Sequence, residues 1–153
     1  MKKYNLLIIS LFVVLAVTAQ PEAVFDKIVK QYTWNRDGSM IFRYRKELTL
    51  NTHFAFNNLY GETFIVYNPE FQILKMNESY TKQADGTVIR TPDNAFNEVL
   101  PSFAADAPAY NHLREMVVTH TGLEIGATIC LDYTLTTHVG FYPFFDVAEQ
   151  LQE

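Results

Sequence analysis

The sequence predicts a mainly β protein, an antiparallel β-sandwich with one or two short helices, and three observations predict it. Apolar and polar residues alternate with period two along several segments. Asp-Gly pairs separate some of these segments at hairpin spacing. Helical periodicity is confined to two short stretches.

Size and composition agree with this class. A chain of 153 residues that is 48% hydrophobic and 19% charged is neither disordered nor too small to build a core without disulfides. A net charge of -5 argues against nucleic acid, whose phosphates call for a basic face. One Cys forms no internal disulfide and no zinc site by itself. The 14% aromatic content exceeds what an incidental surface carries.

The N-terminus reads as an export signal. Lys2 and Lys3 precede an apolar run, Leu6 to Val17, broken only by Ser10, and Val17-Thr18-Ala19 suits a signal peptidase. Cleavage is expected between Ala19 and Gln20, which makes residues 1–19 a signal peptide and 20–153 a single β-sandwich domain. The run is short for a bilayer span, so no stable membrane span is expected after cleavage, and retention as an anchor is the lesser alternative. Removing Lys2 and Lys3 leaves 10 basic against 17 acidic residues, a charge of -7. The expected location is the periplasm or the cell envelope.

Elements follow in order. Pro21 to Lys27 opens as a short helical turn, and Val29–Trp34 is the first strand. Asn35-Arg36-Asp37-Gly38 turns the chain into Ser39–Leu50, where Met40, Phe42, Tyr44, Leu48 and Leu50 share one face with Arg43, Arg45, Glu47 and Thr49 on the other. Lys46 is the one polar intruder on the apolar face. Thr52–Tyr60 is a candidate short helix. Glu62–Tyr67 and Phe71–Tyr80 read as a hairpin about Asn68-Pro69, and Ala84-Asp85-Gly86 turns into Thr87–Arg90. The likeness of the two Asp-Gly segments is turn chemistry rather than an internal repeat. Asp93 or Asn94 caps a second expected helix with Phe96, Val99, Leu100 and Phe103 on one side, ended at Pro101. Leu113–His120 and Ala127–Thr137 read as the last hairpin, about the loop from Thr121 to Gly126.

Several segments together resemble a family of exported bacterial domains of unknown function. They are Pro21-Glu22-Ala23-Val24, Asn35-Arg36-Asp37-Gly38-Ser39, Ala84-Asp85-Gly86-Thr87-Val88-Ile89, Phe96-Asn97-Glu98-Val99-Leu100-Pro101, the stretch Arg114 to Glu124, and Gly126-Ala127-Thr128-Ile129 leading to Asp132-Tyr133-Thr134. They fall in order over most of residues 21 to 137. In that family the domain lies N-terminal to a transglutaminase-like domain, a relative of papain-type cysteine hydrolases. The resemblance implies that any Cys-His-Asp chemistry belongs to that downstream domain. The 16 residues after Thr137 are too few to supply it, which suggests a chain truncated at its C-terminal end, a fragmentary gene product or a free-standing copy.

The residues themselves assign no catalytic, metal or cofactor site. Cys130 sits mid-strand, without the helix N-terminus or paired His that lowers a thiol pKa, and Asp132 on the same face opposes ionisation. The expected last hairpin puts His120 near Ala127 and His112 near Leu135, so these histidines, with His53 and His138, do not converge into a metal site. Asp132 and Glu115 across it are conceivable paired carboxylates, but a solvated face explains them better. Gly122 to Gly126 is turn chemistry rather than a phosphate loop. Tyr32, Trp34, Phe42 and Tyr44 are expected to form cross-strand aromatic pairs, with a sugar-binding platform as the functional alternative. Phe141, Tyr142, Phe144 and Phe145 form an apolar run after the last strand; they are expected to face a partner, with folding back over one sheet as the alternative. The function that follows is a non-catalytic accessory module packing against or presenting a downstream or partner protein domain. The runner-up is a carbohydrate- or other ligand-binding module.

Overall fold

A computed structural model describes residues 21–141. Among them, eight strands form two antiparallel sheets. The larger sheet has the order β1 (Ala23–Trp34), β2 (Met40–Leu50), β8 (Thr128–Thr137), β4 (Gln72–Lys82), β5 (Val88–Arg90). The smaller has the order β3 (Glu62–Tyr67), β7 (Arg114–Thr119), β6 (Phe96–Val99). The expected fold class holds.

Strand β8 is central. Its alternation turns Ala127, Ile129, Leu131 and Tyr133 toward the smaller sheet, and Leu131 packs there against Ile65 of β3 and Val118 of β7. Leu74, Met76, Phe96 and Met116 close around them. A second cluster joins Leu48 and Leu50 of β2 to Ile129 and to Ala55 in the connector before β3. Both clusters are fully buried, so each large side chain in them contributes roughly 1.5–3 kcal/mol by leaving water.

The turn chemistry is as expected. Gly38 and Gly86 hold φ of +86° and +90° after Asp37 and Asp85, whose carboxylates accept from the N–H groups of Ser39 and Thr87. The Ser39 hydroxyl and then its N–H hold the Asp37 carboxyl below the usual carboxylate range, and the Thr87 N–H leads in doing so for Asp85.

Five expectations are corrected. Residues 23–27 continue β1 rather than forming a helical turn, because Ala23 to Lys27 pair with β2 from Leu50 to Glu47. Residues 62–67 and 72–82 are strands but not a hairpin. The carbonyl of Asn68 accepts from both Phe71 and Gln72, a tight corner that carries the chain from one sheet to the other. The segments 113–120 and 127–137 are likewise in different sheets: β7 pairs with β3 and β6, and β8 with β2 and β4. Insertion of β8 between β2 and β4 instead pairs an edge of each of those strands. The helix expected near Asp93 is one 3₁₀ turn, Asp93–Ala95, followed by strand β6. Only a few residues separate the cap from Pro101, too few to offset helix nucleation, while pairing with β7 satisfies the same backbone groups. The helix expected over Thr52–Tyr60 is a 3₁₀ turn, His53–Phe56, and one α-helical turn, α1 (Asn58–Gly61), capped by the Asn57 side chain. Among the described residues no helix is long and apolar enough to cross a membrane.

The architecture predicts contrasting effects for two aliphatic truncations. Leu131→Ala is expected to lower stability by about 2–5 kcal/mol, whereas Ile73→Ala, on the solvent side of β4, is expected to cost well under that, about 0.5 kcal/mol. Urea unfolding of both variants checks this.

Candidate functional site

Two polar clusters flank β8, one on each face of the larger sheet. On the outer face Asp132 is almost wholly buried and accepts from Arg43 through Nε at 3.0 Å and Nη2 at 2.6 Å. A bulge at Asn77 in β4 adds a third donor, with Nδ2 2.7 Å from the carboxylate and 2.8 Å from Thr134 Oγ1. The Arg43 bond, aided by Asn77, holds the Asp132 carboxyl below the usual range. Its donors are matched, and the cluster is a clamp across β2, β8 and β4 rather than a reactive group.

Cys130 lies one pleat from Asp132 on that face, opposite Glu47 and Tyr80. Burial leads in pushing its thiol pKa up, and the carboxylates of Glu47 and Glu78 add to it, while a hydrogen bond with Tyr80 works the other way. The expected opposition to ionisation is therefore present, but it comes from burial, Glu47 and Glu78, since Asp132 is bound to Arg43. Glu115 lies on β7 in the other sheet and is not paired with Asp132 across a hairpin.

The inner cluster begins at Lys46. Its place in the β2 alternation turns it toward the smaller sheet, between Ile28 of β1 and Leu131 of β8 in register. It is 7% exposed. Nζ donates to Thr63 Oγ1 of β3 at 2.8 Å, and Thr63 Oγ1 lies 2.9 Å from Nε2 of His120, just past β7. Among the described residues no carboxylate is within ion-pair distance of Lys46. Burial pulls the lysine down to about 8. Burial, then the charge on Lys46, hold His120 down to about 3, so the imidazole is neutral at pH 7.

The Lys46 ammonium donates to Thr63, whose oxygen is also within hydrogen-bond distance of His120 Nε2. The other ring nitrogen, Nδ1, is buried and has no hydrogen-bond partner among the described residues. His120 lines a cleft of about 180 Å³ with Phe56, Gly61, Glu62 and Leu123, where the end of β7 meets the connector before β3.

Sequence reasoning marked Lys46 but missed Thr63 and His120, because these two meet only through the β3–β7 pairing, which replaces the expected hairpins. The same change removes the expected neighbours of His112 and His120. Among the described residues no three His, Cys, Asp or Glu side chains converge as a metal site.

The aromatics form one ladder on the inner face. Tyr32 stacks on Phe42 at 4.8 Å and on Trp34 at 5.9 Å, while Phe42 and Tyr44 meet Tyr133 at 6.2 and 5.4 Å. The expected cross-strand pairs are thus present, and Trp34 is 58% exposed. Of the residues expected to face a partner, Phe141 stacks on Phe71 at 5.0 Å, nearly parallel. Tyr142, Phe144 and Phe145, with Ala19 and Gln20 at the expected cleavage point, lie outside the described residues.

Comparison with known proteins gives two matches. Residues 36–151 match the family described as "Domain of Unknown Function with solved-structure structure (DUF3857)". The chain is also similar to a crystal structure of a "putative protease" from Parabacteroides distasonis ATCC 8503, with 62% identity over 86% of this chain and a TM-score of 0.80. It spans about a quarter of that protein's length, 26%. No curated protein matches.

The inner cluster makes a pH prediction. Lys46 titrates near 8 when folded and near 10.5 when unfolded, so between these values the unfolded chain binds more protons and folding gains stability as pH rises. Lys46→Met is expected to be about 1–3 kcal/mol more stable than the parent at pH 7. That advantage is expected to shrink as pH rises from 8 toward 10.5, as read by urea midpoints of both proteins across that range.

Proposed function

The chain belongs to the DUF3857 family, and from that premise we propose that it is a non-catalytic accessory module of an exported, longer protein, packing against or presenting a transglutaminase-like domain. The observation that carries this is the lopsided match to the Parabacteroides protein: most of this chain, but only 26% of that one. The words "putative protease" describe a polypeptide about four times as long as the matched part. On this reading any hydrolysis by the longer protein belongs to the length that this chain does not match, in line with the resemblance to domains that precede papain-related ones.

The side chains of this chain support the assignment. A cysteine nucleophile needs a lowered thiol pKa, and Cys130 is pushed the other way. The buried carboxylate, Asp132, is committed to Arg43 and Asn77. Export rests on the N-terminal pattern of Lys2, Lys3, an apolar run and Ala19.

A second reading keeps one specific observation in its favour. The aromatic ladder includes a Trp that is more than half exposed, and such rings stack on sugar faces. Binding to a glycan panel, lost on Trp34→Ala or Tyr44→Ala, is what this carbohydrate-binding alternative requires.

The module reading predicts a transglutaminase-like coding sequence downstream of Glu153 and a mature N-terminus at Gln20. Reading the gene and N-terminal sequencing of the periplasmic protein check these. An unrelated downstream sequence contradicts the first, and a retained Met1 contradicts the second. It also predicts that Cys130 resists iodoacetamide at neutral pH until the protein is unfolded; a thiol that reacts in the folded state returns an enzyme to consideration.

A further inference from the structure

Antiparallel strands with one face in water alternate apolar and polar residues, whereas strands covered on both faces read as continuous apolar runs. The larger sheet follows the first pattern, and its outward side chains include Arg43, Glu47, Asp132 and Thr134. The smaller sheet follows the second. Phe64-Ile65-Val66-Tyr67 in β3 and Met116-Val117-Val118 in β7 are unbroken apolar runs. Ile65 and Val118 face the core, so the alternation turns Phe64, Val66 and Val117 outward. The register sets Phe64 beside Val117, and Glu115 between Val66 and Val99 of β6. Phe64 is 49% exposed, Val66 41% and Val99 42%. Apolar side chains gathered on one outward face mark an interaction surface, as singly scattered ones do not.

Charge and connectivity indicate what covers this face. Glu62 and Glu115 alternate onto it, and no Lys or Arg of the three strands does. Among the described residues neither carboxylate is within ion-pair distance of a basic side chain. A second copy docked about a two-fold axis would bring these acids against each other. The described chain also ends beside this face. The corner at Asn68 carries β3 past Phe71 into β4, and Phe141, the last described residue, stacks on Phe71. The 12 residues from Tyr142 to Glu153 span at most about 43 Å, so a domain that follows them begins within reach of the Val66 end.

We propose that the outer face of the smaller sheet, centred on Phe64, Val66, Val99 and Val117, is where this module packs against the domain that follows it in the longer protein. That domain meets the face with an apolar patch and sets Lys or Arg side chains opposite Glu62 and Glu115. The identity of the occupant rests on the module reading, whereas the two-sided apolar pattern of β3 and β7 does not.

Thiol labelling tests this. Val66→Cys is compared with Ile73→Cys, a control 56% exposed on the outer face of the larger sheet. Each is made in the 153-residue chain and in the natural polypeptide that continues past Glu153, and the iodoacetamide rate is read against the parent, whose Cys130 is buried. Val66→Cys is expected to react at least about tenfold more slowly in the longer polypeptide, and Ile73→Cys at the same rate in both. Adding Glu115→Lys to the longer polypeptide is expected to restore labelling of Val66→Cys about fivefold. In the 153-residue chain Val66→Lys is expected to move the urea midpoint by no more than about 0.3 M, because Val66 is exposed there.

Equal labelling of Val66→Cys in the two polypeptides overturns the proposal, as does protection that Glu115→Lys leaves undiminished. Protection that grows with the concentration of the 153-residue chain assigns the face to a second copy and overturns it too. A large loss of midpoint in Val66→Lys assigns the face to this chain's own residues, with the same consequence. A gene with no following domain removes the module reading and the occupant with it, and that outcome is read from the gene, apart from any labelling rate.

Discussion

Strand β8 is the constraint on which the rest depends. It is hydrogen-bonded on both edges, to β2 and to β4, over nearly its whole length. Its inward side chains, above all Leu131, are the surface on which the smaller sheet packs. Without β8 the five-stranded sheet falls into the β1–β2 and β4–β5 hairpins, and the smaller sheet loses the face it covers. Isolated hairpins of that kind are at best marginal in water.

The polar groups around β8 make sense against that frame. Asp132 is tied by Arg43 and Asn77, so the clamp reaches both neighbouring strands and fixes the register that the Asn77 bulge would otherwise loosen. Lys46 is the opposite case: a cation turned inward with one hydroxyl as its bonded partner among the described residues. Burying it costs stability, and its bond to Thr63 ties β2 to β3 across the two sheets.

How much of this was legible in the sequence depends on range. Local features were readable: the Asp-Gly turns at Gly38 and Gly86, the strand alternation of Met40 to Leu50, and the inward position of Lys46 all follow from residues a few positions apart. Pairing was not. The links 68–71 and 121–126 look like hairpin loops, and only the demand that β8 be paired on both edges turns them into crossings between sheets. The helical spacing of Phe96, Val99, Leu100 and Phe103 misled for a related reason: of these only Phe96 faces the core, and the others alternate along or beyond an edge strand. Thr63 and His120 escaped notice because their meeting is a product of the β3–β7 register, about 57 residues apart in the chain. Cys130, in contrast, was readable as an inert thiol from its mid-strand place, although the carboxylates opposing it proved to be Glu47 and Glu78.

Function follows the same division. The chain belongs to a family of unknown function and spans about a quarter of a much longer relative, and the proposed module role rests on that coverage. All of it presumes a sandwich held by its central strand. Native-state hydrogen exchange in rising urea tests that most directly. The amides of Ile129, Leu131 and Tyr133 are expected to exchange only through global unfolding, while those of β6 and β1, edge strands among the described residues, open earlier and at lower free energy. Exchange of the β8 amides as fast as those of β1 would contradict the account.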